Sequence, residues 1–162
     1  MGVYSVKTPR GSSLAVSSSA TKYFCRMKPA AAQPEVPLIG FDYTPKSIDT
    51  SDLKAELSLV RISSSGTWPA TSAAWTTPRK HRNSDLGASG TYDAGIATSD
   101  PTITANVGDV LTWWINPTVP FVYRFAPNEL PKLQAGEEWC FVITAPASDA
   151  LDFHFAAHLE NA

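Results

Sequence analysis

The chain has 162 residues, of which 43% are hydrophobic and 17% charged, and its formal net charge is −2. That length allows one domain, or one domain with an arm. The balance excludes bulk attraction to nucleic acid, and no apolar run approaches the roughly 20 residues that a membrane-spanning helix needs.

Met1-Gly2-Val3-Tyr4 has no basic start followed by an apolar stretch, so no secretory signal is expected. Residues 8–21 are rich in Ser, with Pro9 and Gly11, and residues 1–21 are expected to form an extended N-terminal arm. Residues 22–162 are expected to form the folded body. Residues 22–28 alternate Tyr23, Cys25 and Met27 with Lys and Arg and predict a strand, which the prolines between Pro29 and Pro37 end. Residues 38–43 predict a second, short strand. Residues 53–62 have a helix-like composition, but Leu53, Ala55, Leu57 and Leu59 alternate with Lys54, Glu56 and Ser58, which favours a strand.

Residues 63–106 are polar and poor in apolar runs, and are expected to be a long loop region carrying function or an interface. Strands follow at 110–115, 121–125 and 138–144, with prolines between them. The last strand, 151–160, sets Leu151, Phe153, Phe155, Ala157 and Leu159 on one face and His154 and His158 on the other. On a strand the two histidines stand about 13 Å apart, so they do not form a metal pair. Many short strands between turns predict an all-β, antiparallel β-sandwich of jelly-roll-like form.

The charge is uneven. Residues 1–46 hold six basic and two acidic side chains, a net +4, and residues 47–162 hold seven and thirteen, a net −6. Lys7 and Arg10 in the arm, and Arg79, Lys80 and Arg82 in the cluster Thr77-Pro78-Arg79-Lys80-His81-Arg82, are candidate partner-binding residues for an acidic or phosphate-bearing surface. A solvated basic loop is the competing reading. Trp68 and Trp75 fall in the long loop region and are interface candidates. No phosphate loop, Cys-x-x-Cys pair or nucleophile elbow occurs, so no catalytic residue, metal or cofactor is expected. Cys25 and Cys140 are expected to stay reduced.

The segments Thr77-Pro78-Arg79-Lys80-His81, Phe125-Ala126-Pro127-Asn128-Glu129 through Trp139, and Thr144-Ala145-Pro146-Ala147 through Leu151 resemble those of small tailed-bacteriophage virion proteins. The resemblance covers roughly residues 53–160. It implies a non-enzymatic jelly-roll-like virion protein, made in the host cytoplasm. The most concrete form is a capsid decoration or cement protein, homotrimeric, with the major capsid protein or other virion proteins as partners. A receptor-binding or tail-fibre module and a sandwich-fold carbohydrate-active enzyme are the alternatives. The latter would need two carboxylates about 5–10 Å apart, and no pair stands out in the sequence.

Overall fold

The computed structural model describes residues 2–33, 35–46, 53–64, 66–68, 72–82, 88–103 and 110–161. Two antiparallel sheets pack face to face, an all-β sandwich as the alternating sequence requires. In chain order the elements are β1 (Gly2–Lys7), β2 (Leu14–Val16), β3 (Thr21–Pro29), β4 (Glu35–Pro45), β5 (Ala55–Ser64), α1 (Ala73–Thr76), β6 (Arg79–Lys80), β7 (Gly90–Ile96), β8 (Thr102–Ile103), β9 (Val110–Ile115), β10 (Phe121–Arg124), β11 (Lys132–Gln134), β12 (Glu138–Thr144) and β13 (Leu151–Asn161). Sheet A runs β10-β4-β13-β1-β6, with β11 beside β4 and β2 beside β13. Sheet B runs β7-β3-β12-β5-β8, with β9 beside β5. The long consecutive strands β3, β4 and β5 alternate between the two sheets.

The core lies between the sheets. Phe153, Phe155, Ala157 and Leu159 of β13 meet Phe24 and Met27 of β3 and Phe141 and Ile143 of β12. The Phe155 ring lies 4.9 Å from Phe24, 5.6 Å from Phe41 and 4.6 Å from Phe141, so one side chain ties both sheets. As the period-2 pattern predicts, Phe153 and Phe155 are buried while His154 and His158 occupy the other face of β13. Tyr4 of sheet A and Tyr92 of sheet B share a hydrogen bond of 3.0 Å across the core, and burial raises both phenols above their ordinary pKa.

Two expectations are corrected. Residues 1–21 are not an arm: β1 pairs with β13 from Gly2↔Asn161 to Lys7↔Ala156, and β2 pairs with the start of β13. Tyr4, Val6, Leu14 and Val16 are all buried. The Ser-rich composition hid a strand because these apolar residues are few but all face inward. Residues 63–106 are not a continuous loop region either. They hold β7, whose Tyr92 and Ala94 enter the core, along with α1, β6 and β8. Gly90 and Gly95 lower the apolar density of that strand, and Gly90, at φ 141°, sits so close to the Lys28 carbonyl that a Cβ would clash.

Both cysteines are free and buried. Cys25 belongs to the main core and Cys140 to a separate cluster, and burial raises both thiols above their ordinary pKa.

Candidate functional site

The outer face of sheet A carries a row of polar side chains that runs across the strands. His158 of β13 stands opposite Gly40 of β4 on one side and Ser5 of β1 on the other, and Arg124 of β10 stands opposite Gly40. The contacts form a chain. Arg124 Nη1 lies 2.6 Å from Asp42 Oδ1, and Asp42 Oδ2 lies 2.8 Å from His158 Nε2. His158 Nδ1 lies 2.8 Å from Ser5 Oγ, and Ser5 Oγ lies 2.6 Å from His81 Nε2. Gly40 makes the first link possible: a Cβ there would stand 2.8 Å from Arg124 Cδ and 2.2 Å from the Tyr123 carbonyl. With no side chain in the way, Arg124 crosses β4 to Asp42 and also donates to the Phe41 carbonyl.

The partners fix the direction of each hydrogen bond. A carboxylate only accepts, so His158 Nε2–H donates to Asp42. The Nδ1 of the neutral ring must then accept, so Ser5 Oγ–H donates to it, and His81 Nε2–H donates to Ser5. Burial, the largest influence, pushes His158 below its ordinary pKa, with Asp42 pulling the other way and Arg124 and His81 adding to the fall. Burial alone would raise Asp42, but Arg124 and His158 outweigh it and hold the carboxyl below its usual range.

Ser, His and Asp are the residue types of a hydrolytic triad, but the arrangement does not suit a nucleophile. Ser5 is only 3% exposed, its oxygen is already engaged by both imidazoles, and neither cleft described below is lined by it. The row is a polar network of one ion pair and three hydrogen bonds that ties four strands together. Sequence reading missed it, because Ser5, Asp42, His81 and His158 converge only through strand order. Among the described residues no group of three or more His, Cys, Asp or Glu side chains is arranged to hold a metal ion.

Beside this row, three of the expected partner-binding residues converge. Lys7, Arg10 and Arg79 line an open cleft of about 490 Å³ with Thr8, Pro9 and Ala74. Lys80, the next residue of β6, points to the opposite side of the strand from Arg79. Arg82 is exposed just beyond His81. The two tryptophans pack within the chain. Trp75 of α1 is half-buried against the core. Trp68 covers a cluster of Val60, Ile62 and Cys140 on the outer face of sheet B, with the Arg26 guanidinium 5.9 Å from its ring. A second, smaller cleft near Lys28, Arg61 and Glu137 has its cations already paired: Arg61 with Glu137, and Lys28 with the buried Glu138, which also binds Arg26 at 2.5 Å.

The most exposed apolar residues sit elsewhere, on the side of the sandwich closed by β9 and β10. Inside this edge, Trp113, Tyr123, Phe125 and Phe41 form an aromatic cluster. Outside it, Trp114 is 63% exposed on the shoulder of sheet B and Val122 61% exposed on the shoulder of sheet A, with Leu111 and Val119 also exposed. Among the described residues β9 pairs only with β5 and β10 only with β4, so each leaves one backbone edge open. No known protein family, curated protein or solved structure matches the chain. No described helix is long and apolar enough to cross a membrane.

Proposed function

We propose that this chain is a non-enzymatic structural protein of a phage particle, most concretely a capsid decoration protein that self-associates, as a homotrimer, and seats on the major capsid protein or another virion protein. The observation that carries the reading is the β9–β10 edge. An indole and three aliphatic side chains lie exposed there beside two open strand edges. Exposed apolar surface of this kind, next to free backbone donors and acceptors, fits a neighbouring subunit. The low charge density agrees with a surface partly covered by partners, and the resemblance to virion proteins supplies the setting. A cement protein stabilises a shell through many weak contacts acting together.

The test is co-sedimentation of the purified protein with intact particles, and its localisation in them by electron cryomicroscopy, with native mass spectrometry for the oligomer. Saturable binding that falls when Trp114→Ala and Val122→Lys are combined is the expected result. Binding to glycans with no affinity for particles would move the protein to the receptor-binding class, and turnover of a glycan would overturn the non-enzymatic reading.

A further inference from the structure

We infer that the cleft formed by Lys7, Arg10 and Arg79 is a binding site for an acidic peptide segment, taking two neighbouring carboxylates of a partner chain. The inference is independent of the β9–β10 edge. Three separate segments bring the cations together. Lys7 ends β1, Arg10 tips the following turn, and Arg79 lies in β6, paired across from Ser5. Lys7 and Arg79 share the outer face of sheet A, because Lys7 is two residues from Ser5 and Arg79 is directly opposite it.

The turn is rigidly placed. Thr8 is buried; its N–H and its hydroxyl both donate to the Phe155 carbonyl, at 2.9 and 3.3 Å, and the Phe155 N–H donates to the hydroxyl at 3.1 Å. Ser12 N–H closes the turn onto the Pro9 carbonyl at 3.1 Å, and Gly11 at φ 80° supplies the left-handed third position of a type II turn. This puts Arg10 at the second position, at the tip. Ala74 of α1 forms the far side of the cleft, and α1 is held by Trp75 against the core. The site is therefore organised before any ligand arrives, which lowers the ordering cost of binding.

None of the three cations has a hydrogen bond or an ion pair among the described residues, whereas Arg26, Lys28, Lys46, Arg61, Arg124 and Lys132 all pair with carboxylates of the same chain. Among the described residues the chain thus pairs six of its thirteen cations internally and leaves these three, gathered in one cleft, open. Two guanidinium groups suit planar carboxylates, which they can bind with two parallel hydrogen bonds. Pro9, Ala74 and the Thr8 segment offer the apolar contact that a peptide carries between its charges. The net charge of −2 opposes a long polyanion, and the cleft is too small for a duplex, so a short acidic peptide is the favoured occupant.

The experiment is fluorescence anisotropy of the full chain with a labelled hexaglutamate peptide, repeated with a labelled six-nucleotide single-stranded DNA. Wild type should bind the peptide saturably and more weakly as salt rises. The triple variant Lys7→Ala, Arg10→Ala, Arg79→Ala should lose about tenfold or more in affinity. The control triple Lys46→Ala, Lys54→Ala, Lys132→Ala removes the same charge elsewhere and should stay within about twofold. Arg79→Lys keeps the charge but loses the fork, and should fall between them. Circular dichroism confirms that each variant is folded. Absence of saturable peptide binding, equal loss in both triples, or tighter binding of the DNA through the same residues would overturn the inference.

Discussion

The outer faces of the two sheets solve one problem in opposite ways. Sheet B places Val60, Ile62 and Cys140 on its outer face and covers them with Trp68, which Arg26 caps in turn. Sheet A places hydrogen-bonding side chains there and joins them from Arg124 to His81. One face is sealed by packing and the other by mutual hydrogen bonding, so neither needs a second molecule to be stable. Against those two closed surfaces, the β9–β10 edge and the Lys7–Arg10–Arg79 cleft stand out because nothing described in the chain completes them. Unfinished business on a protein surface is best recognised by its contrast with surfaces that are finished.

Both faces rest on a common core, and the largest loss is expected there. Phe155→Ala should cost about 3–5 kcal/mol, because its ring touches both sheets. Chemical denaturation checks this, and a loss below about 1 kcal/mol would mean that the cavity collapses freely. On sheet B, Trp68→Ala should cost about 2 kcal/mol, less than a core aromatic because the ring is half-buried. The same change should make Cys140 measurably more reactive toward a thiol reagent, and unchanged reactivity would show that something else seals that face. On sheet A, Ser5→Ala leaves His158 Nδ1 and His81 Nε2 without their shared partner and should cost about 1–1.5 kcal/mol.

The polar face should also respond to acid where the packed face does not. Burial lowers the pKa of His158 in the folded state from its ordinary 6.5. As pH drops below that value the unfolded chain takes up the proton first, so stability falls, and the fall levels off once the folded His158 is itself protonated. Asp42, also lowered from its ordinary 3.8, adds a second loss as pH drops through that value toward the folded one. Melting temperature should therefore decrease from pH 7 to 5, and His158→Gln should flatten that segment of the profile while Trp68→Ala leaves its slope intact. A wild-type profile that is level or rises on acidification contradicts the assignment. The smallest effect on stability belongs to the open edge. Trp114→Ala should change unfolding free energy by no more than about 0.5 kcal/mol while weakening self-association in sedimentation.

Much of the sandwich was legible because its longest strands alternate cleanly. Residues 151–160 and 138–144 declared their buried faces, and residues 53–62 overrode a helical composition by their alternation and their β-rich surroundings. Gly2–Lys7 was not legible, since it is short and its Ser5 is buried by contact with His81 and His158, which lie far away in the sequence. The basic residues Lys7, Arg10 and Arg79 were each visible, but not their meeting, which depends on the β1–β6 pairing between segments more than 70 positions apart. The Asp42–His158–Ser5–His81 row was invisible for the same reason. Local pattern specifies which face a residue takes, and only the order of strands specifies its neighbours.

The placing of β13 has a kinetic consequence. Within sheet A it is flanked by β4 and β1, and β2 also pairs with it, so those strands have no common partner until residues 151–161 are available. During synthesis, β1, β2 and β4 must wait for these residues before the sheet can close. Sheet B has an earlier assembly point, since β12, its middle strand, emerges before β13. Pairing between such distant segments is slow, because the loop-closure entropy is lost before the contacts that offset it are made. Until then the phenylalanine-bearing inner face of sheet B is uncovered, and a growing chain arrested before residue 151 would offer it to chaperones.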